Sequence, residues 1–120
     1  MSNGDLGRVF NNGDVLCRQG ENGDHMFVIQ TGQVEVIAEN DGRETRLAVL
    51  GEGDFIGEMA VFAKEPRSAT VRALGEVRAL TVDKKNLLRR VSEDPTLAFR
   101  VIKTLSKRVR ELNDEVARLR

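Results

Sequence analysis

The chain has 120 residues with 19 basic and 19 acidic side chains, so its zero formal charge gives no overall reason to bind nucleic acid or a membrane surface. One cysteine, Cys17, excludes an internal disulfide and a cysteine metal cluster, and no apolar run approaches the roughly 20 residues of a membrane span. The N-terminus also lacks a signal-peptide pattern, and these features predict a cytoplasmic protein made of a single domain, residues 1–120.

The first 83 residues contain short apolar runs separated by glycine-rich turns. Strands are predicted at residues 9–10, 15–18, 26–30, 33–39, 43–50, 70–74 and 77–82. In the fourth run, alternation puts Val34 and Val36 on one face of the strand and Glu35 and Ile37 on the other. Short strands at regular spacing are typical of an antiparallel β-roll or jelly roll, also described as a double-stranded β-helix.

Glycines mark the predicted turns between these strands. The run Asn40-Asp41-Gly42 has the chemistry of a hairpin turn. A positive φ in a turn explains each of the following glycines: Gly13, Gly20, Gly23, Gly32, Gly42, Gly51, Gly53 and Gly75.

Residues 55–71, with the sequence FIGEMAVFAKEPRSATV, combine the parts that a small anionic ligand with a sugar would need. Gly57 lets the backbone come close, and a short helical segment after it directs its first amides at an anion. Arg67 supplies a planar cation matched to phosphate oxygens, and Ser68 adds a hydroxyl and further amides. Glu58 would repel a phosphate, so we expect it to accept hydrogen bonds from sugar hydroxyls instead. The alternative for Glu58 and Arg67 is a salt bridge on a loop.

Residues 84–120 predict two helices. Asp83 has the character of an N-cap for a short helix over 84–91, with an inner face of Leu87, Leu88 and Val91. Asp94 and Pro95 begin a long second helix that runs to the chain end. This part is basic, with 11 basic and 5 acidic side chains against 8 and 14 in residues 1–83, which is ordinary for a solvated helix surface.

The long helix carries a heptad stripe of apolar residues spaced alternately four and three apart. Its members are Ala98, Ile102, Leu105, Val109, Leu112, Val116 and Leu119. Ile and Val at a positions with Leu at most d positions favour a parallel two-stranded coiled coil, so the stripe predicts a homodimer. The alternative is a single amphipathic helix packed on its own β-roll.

The motif GEMAVF followed by PRSATV resembles the phosphate-binding segment of the cyclic nucleotide-binding domain family. This family includes the bacterial catabolite activator-type regulators, the cyclic-nucleotide-dependent kinases and the nucleotide-gated channels. The resemblance implies that Glu58 binds the ribose and that Arg67 binds the phosphate. It also implies amide donors at Gly57, Met59, Ala60, Ser68 and Ala69.

In the same family the last helix closes over the base, which implies contacts from Arg108, Leu112 and Asn113. Leu112 departs from the small hydroxyl residue that the bacterial regulators tend to carry there, so apolar packing is its expected role. Ser68 suits either base, and the Arg-Ser-Ala run resembles the bacterial cAMP regulators. The expected ligand is therefore cAMP, with cGMP as the alternative.

Catalysis finds little support in the sequence. The only histidine, His25, follows Asp24 in a glycine-flanked turn, and a metal oxygenase of similar fold would need at least two histidines and a carboxylate. Ser68 has no histidine to activate it. We therefore expect neither an enzyme nor a metal or cofactor, but a sensor module. Two alternatives stay open: the effector domain of a catabolite activator-type transcription regulator, with DNA binding outside this chain, and a dimerisation module that has lost the ligand.

Overall fold

The computed structural model describes residues 7–119. Two compact units make up this part of the chain, the first ending at Lys84 and the second beginning at Lys85. The boundary lies one residue from the division at residues 83 and 84 that the sequence predicted between strands and helices. That the two units form one domain stays a prediction.

Within residues 7–84, strands dominate and every strand pairing is antiparallel. The elements are β1 (Arg8–Phe10), β2 (Val15–Cys17), β3 (His25–Asn40), β4 (Arg43–Leu50), β5 (Phe55–Ile56), α1 (Glu58–Phe62) and β6 (Thr70–Asp83). The sheet order is β1-β6-β3-β4, with β2 also paired to β6 and β5 also paired to β3. This is the predicted antiparallel β-roll.

Two long strands replace four predicted short ones. The predicted runs 26–30 and 33–39 are joined in β3, and 70–74 and 77–82 are joined in β6. Gly32 and Gly75 do have positive φ values, of 89° and 76°, but they shift the register between β3 and β6 without ending either strand. A glycine inside a strand pattern thus marks an irregularity of pairing here and not a turn.

The core of the first unit is small and largely aliphatic. Its buried cluster comprises Phe10, Cys17, Phe27, Ile29, Val34, Ile56, Val71, Ala73, Val77 and Ala79. Phe10 and Phe27 meet edge to face, with ring centroids 6.4 Å apart. Because Phe27 and Ile56 are also register partners between β3 and β5, the core directly supports the start of the segment 55–71.

Both faces of β3 are covered around residue 35. Glu35 and Ile37, which alternation placed opposite Val34, are buried as Val34 is. The backbone N–H of Gln19 donates to Thr70 Oγ1 at 3.0 Å, and its side chain exchanges hydrogen bonds with the backbone of Glu39. The loop at Gln19 is therefore fixed to both β3 and β6.

Glu35 on β3 ties three strands together. Its carboxylate accepts hydrogen bonds from Arg72 Nε on β6 at 2.9 Å and from Arg46 Nε on β4 at 3.1 Å. Arg72 also reaches Glu44, so charges alternate across the sheet. The hydrogen bond from Arg72, and next the one from Arg46, lower the pKa of Glu35 against the opposing effect of burial.

The second unit contains α2 (Lys84–Glu93), which starts at the boundary residue, and α3 (Pro95–Arg118). The Asp94 carboxylate accepts from the Thr96 backbone N–H at 3.1 Å, with Pro95 at the first helical turn, as predicted. The predicted inner face of α2 is only partly right, because Leu87 is buried but Leu88 is exposed. Adjacent helix positions lie about 100° apart, so Leu88 turns away from the face that Leu87 shares with Val91. None of the helices in residues 7–119 is long and apolar enough to cross a membrane.

Stability should fall on the acid side partly through Glu35. Because its pKa is lowered by folding, its contribution is present above the unfolded pKa of about 4.3 and is lost as pH falls through the folded pKa. We expect Glu35→Gln to lower the melting temperature at pH 7, and the difference from the parent to narrow below about pH 4. Thermal melts followed by circular dichroism from pH 3 to pH 7 measure this. Glu52→Gln, in the exposed turn before β5, is the matched control, and a gap that stays constant across this range would contradict the assignment.

Candidate functional site

The segment 55–71 is a loop with both ends fixed on β3. At its start, Phe55 pairs with Val28 and Ile56 with Phe27, and at its end Thr70 pairs with Ile37. One strand therefore determines where the segment leaves the sheet and where it returns.

Gly57 makes the turn from β5 into α1. Its φ of 86° and ψ of 18° lie in the left-handed region, which a residue with a side chain rarely adopts. The buried Ala60 and Val61 anchor α1, whereas Met59 and Phe62 are exposed. The turn thus brings the backbone of Gly57 and the half-buried Glu58, the first helical residue, to one place.

Arg67 is held at both its backbone and its side chain. Its backbone N–H donates to the Glu21 carbonyl and its carbonyl accepts from the Gly20 N–H, both at 2.8 Å. Its guanidinium is buried, with Nη1 donating to the Gly57 carbonyl at 3.4 Å and Cζ 5.6 Å from the centroid of the Phe27 ring. The side chain therefore crosses from the end of the segment back to its beginning.

The buried charge of Arg67 has no carboxylate within ion-pair distance among residues 7–119. The arginines Arg46 and Arg72, which are more exposed, each form ion pairs with Glu35. Arg67 itself is only 6% exposed. A buried cation without an anionic partner is costly, so the arrangement fits an anion supplied from outside the chain.

Two titratable groups respond to the Arg67 charge. The pKa of Asp24 is lowered, mainly by its hydrogen bond with His25 Nδ1 at 3.2 Å and to a lesser extent by Arg67. Burial raises the pKa of the Cys17 thiol, against a smaller opposing effect of Arg67. The Cys17 thiol donates to the Ala69 carbonyl at 4.0 Å, so it packs beneath the turn that follows Arg67.

Among the predicted residues of the first unit, the structure brings Gly57 and Arg67 into contact, and the others lie close to these two in the chain. Gly57 contacts Arg67, Glu58 follows Gly57, and Ser68 and Ala69 follow Arg67, with Ser68 exposed and Ala69 buried. The Ala60 N–H already donates to the Gly57 carbonyl at 3.2 Å, so a bound anion would have to share or replace that bond.

Three further predicted residues, Arg108, Leu112 and Asn113, lie in α3 of the second unit. Their contact with a base stays a prediction. Among residues 7–119, no group of three histidine, cysteine or acidic side chains could hold a metal ion.

Sequence reasoning missed the loop before β3 and the ring beneath Arg67. Gly20 and Glu21 bond the backbone of Arg67, and Phe27 lies under its guanidinium. The sequence predicts a positive φ at both glycines of this loop, which is confirmed for Gly20 but wrong for Gly23. The same prediction is wrong for Gly51, between β4 and β5. No spacing in the sequence signals these contacts, because more than 40 residues separate the loop from Arg67.

The chain is similar to regulators and to channel proteins. It is 31% identical over 111 residues to a CRP-like cAMP-activated global transcriptional regulator of Mycobacterium tuberculosis, covering 92% of this chain and 50% of that protein. It is 40% identical over 101 residues to a cyclic nucleotide-gated potassium channel of Rhizobium etli, covering 84% of this chain and 27% of the channel. The chain thus spans half or less of the length of these relatives.

The chain is also similar in structure to solved proteins, among them a catabolite activator protein and nucleotide-bound forms of an enzyme. The Thermus thermophilus catabolite activator protein matches with a TM-score of 0.84 at 27% identity, covering 93% of this chain and 53% of that one. The cAMP-bound form of the EAL enzyme Bd1971 matches with a TM-score of 0.66 at 34% identity, covering 91% and 30%. Its cGMP-bound form matches with a TM-score of 0.67 at 35% identity, covering 86% and 28%.

The family model of the cyclic nucleotide-binding domain matches residues 7–94, which include the whole β-roll and the segment around Arg67. The chain belongs to the cyclic nucleotide-binding domain family.

Proposed function

We propose that the chain is a sensor module that binds cAMP and couples binding to a movement of α3. The observation that carries this proposal is the buried guanidinium of Arg67, which has no carboxylate partner in the described part of the chain and lies against the Gly57 carbonyl. A cyclic phosphodiester bears one negative charge, and it would supply the missing anion. The module is not proposed to be an enzyme, and it would need neither a metal nor a cofactor.

Each part of the ligand has a candidate partner. Arg67 neutralises the phosphate, with amides of Gly57, Met59, Ala60, Ser68 and Ala69 as further donors to its oxygens. Glu58, one residue from Gly57, accepts hydrogen bonds from the ribose. The Arg67 side chain reaches Gly57. Residues from both the beginning and the end of the segment 55–71 would therefore hold the phosphate and the sugar.

The choice of cAMP rests on relatives and on one residue. The regulator from Mycobacterium tuberculosis is described as cAMP-activated, and Bd1971 has been solved with cAMP and with cGMP. Ser68 follows Arg67 in this chain and accommodates either base. We propose cAMP as the physiological ligand and cGMP as the alternative.

The homodimer proposal rests on the heptad stripe of α3. Ile102, Val109, Leu112 and Val116 are each half or more exposed in the single chain, although all are apolar. A parallel pairing of two α3 helices would cover them. In the family the last helix also contacts the base. Contacts of the ligand with Arg108, Leu112 and Asn113 would therefore favour one position of α3 over another.

A second candidate is the effector domain of a transcription regulator. The chain covers 50% of the regulator from Mycobacterium tuberculosis and 53% of the Thermus catabolite activator protein, in keeping with one part of such a protein. Ligand chemistry would be the same, and only the output would differ.

Nucleic acid and membrane are not proposed as partners of this chain, and a cytoplasmic location is part of the same proposal. A dimerisation module without ligand is disfavoured because it would have no use for the buried charge of Arg67.

Removing the cation should weaken nucleotide binding. A hydrogen bond to a charged group contributes about 1.5 to 3 kcal/mol, so we expect Arg67→Ala to reduce cAMP affinity by roughly ten- to a hundredfold or more. Isothermal titration calorimetry measures the change. Arg43→Ala, at the exposed β3–β4 hairpin, removes an equal charge and should bind as the parent does. Parental affinity in Arg67→Ala would refute the assignment.

Ligand identity can be read from thermal stabilisation. A ligand that binds only the folded form raises the melting temperature with its affinity, so we expect the largest rise with cAMP and a smaller one with cGMP. A cyclic dinucleotide at the same concentration is the third arm of the series. A dinucleotide that stabilises the protein more than cAMP would contradict the proposed ligand class.

The heptad stripe should be required for dimerisation. A lysine at a d position would bury an unpaired charge at the centre of a coiled coil, so Leu105→Lys should yield a monomer in sedimentation velocity. Glu111→Lys adds the same side chain at an outer heptad position and should leave the mass of the parent dimer unchanged. A Leu105→Lys protein that sediments as the parent does would leave only the intrachain role for the stripe.

A further inference from the structure

The guanidinium of Arg67 lies in a narrow space between two glycines. We define the Arg67 slot as the space bounded by Gly23, Gly57 and the ring of Phe27. A Cβ atom placed on Gly23 would lie 2.5 Å from Arg67 Nη2 and 2.8 Å from both Cζ and Nε. A Cβ on Gly57 would lie 2.5 Å from Arg67 Nη1. Real Cβ atoms do not approach other atoms so closely, so both walls of the slot require the absence of a side chain.

Gly23 and Gly57 are each suited to glycine for a different physical reason. Gly57 has a φ of 86°, so its backbone conformation alone favours glycine. Gly23 is not among the glycines with a positive φ, so a side chain there would not strain the backbone. What a side chain at position 23 would meet is the guanidinium, at all three of its nearest contacts. Glycine at position 23 therefore leaves the space that the Arg67 guanidinium occupies.

The loop that contains Gly23 also holds the Arg67 backbone. Gly20 and Glu21 exchange two hydrogen bonds of 2.8 Å with Arg67, and three residues further on Gly23 meets the other end of the same side chain. The Phe27 ring, buried in the core, closes the slot from a third side. One short loop and one core ring thus determine both ends of Arg67.

We propose that Gly23 is a positioning residue that holds the Arg67 guanidinium ready for an anionic ligand. This inference rests on the proposed function of Arg67 as the phosphate-binding residue and adds what gives its guanidinium room at that position. A side chain at position 23 displaces the guanidinium from the slot, and the ligand must then order it again on binding. Ordering a long side chain at a binding site opposes association, so preorganisation raises affinity.

The fold should tolerate the substitution. The atoms that a new Cβ would meet are the far end of a flexible side chain and not backbone, so Arg67 can move away without displacing the loop. Replacing glycine where φ permits a side chain also reduces the entropy of the unfolded chain. We therefore expect Gly23→Ala to melt at or near the parental temperature while binding cAMP about three- to tenfold more weakly. Gly23→Val, with two more methyl groups, should bind more weakly still.

A matched control exists in the same unit. Gly51 also lacks a positive φ, and a Cβ there would make only ordinary contacts, the nearest at 3.7 Å to the Gly32 carbonyl oxygen. Gly51→Ala makes the same chemical change without touching Arg67, so its cAMP affinity should equal that of the parent. Calorimetric titration of the parent, Gly23→Ala, Gly23→Val and Gly51→Ala gives the comparison.

A spectroscopic measurement tests the slot without any ligand. The guanidinium lies near the face of Phe27, so the ring current should displace the Arg67 Nε–Hε signal in a ¹H–¹⁵N correlation spectrum, and Arg67→Lys identifies that signal by its loss. We expect Gly23→Ala to move it toward the position of exposed arginines and Gly51→Ala to leave it unchanged. An unmoved signal, or parental affinity in both Gly23 variants, overturns the inference. If the parent protein binds no cyclic nucleotide, the proposed function fails, and the proposal that Gly23 positions Arg67 for such a ligand fails with it. The Nε–Hε signal reports separately whether the Arg67 slot exists.

Discussion

The site depends on one buried cation. Folding moves the Arg67 guanidinium out of water and surrounds it with the Phe27 ring, two glycines and a single carbonyl oxygen at 3.4 Å. The ring face, the carbonyl dipole and the more distant charge of Asp24 offset part of the desolvation, but no carboxylate among residues 7–119 lies within ion-pair distance of Arg67. Under the proposed function an anionic ligand would supply the missing negative charge, and the contacts of the first unit hold the guanidinium where it would meet that ligand.

Strand β3 is the element that makes this placement possible. It carries Phe27 at one end, pairs with both ends of the segment 55–71, and holds Glu35 between Arg46 and Arg72 further along. The two arginines next to Glu35 form ion pairs with carboxylates, whereas Arg67 forms none within residues 7–119. The first unit thus contains an ionic network around Glu35 and, separately, the buried guanidinium of Arg67, to which the proposed function assigns the ligand.

The sequence alone predicts the fold class, the chain order of the elements and the segment 55–71, because alternation, turn chemistry and the GEMAVF and PRSATV motifs are local signals. It fails where the decisive contact is distant. Gly32 and Gly75 have the positive φ values of turn residues but lie inside long strands, because β3 and β6 pair on both sides of them with a shift in register. Gly23 looks like another turn glycine in the sequence. It contacts Arg67, which is 44 residues further along the chain, and no local periodicity or spacing predicts a contact over that separation. The roles of Arg108, Leu112 and Asn113 depend on the second unit and remain inferences from the family.

The Arg67 slot also bears on how ligand binding would be transmitted under the proposed function. If the Arg67 slot holds the guanidinium in the same place with and without ligand, the ligand does not have to reposition that side chain, and binding energy is available for changes elsewhere. The exposed part of the segment is then the part that can respond: Glu58 is half-buried, Met59 and Phe62 are exposed on α1, and Ser68 is exposed beyond Arg67. Under the proposed function, Arg67 would be the fixed part of the site that recognises charge, and the five-residue helix α1 would be the adjustable part that responds to the ligand.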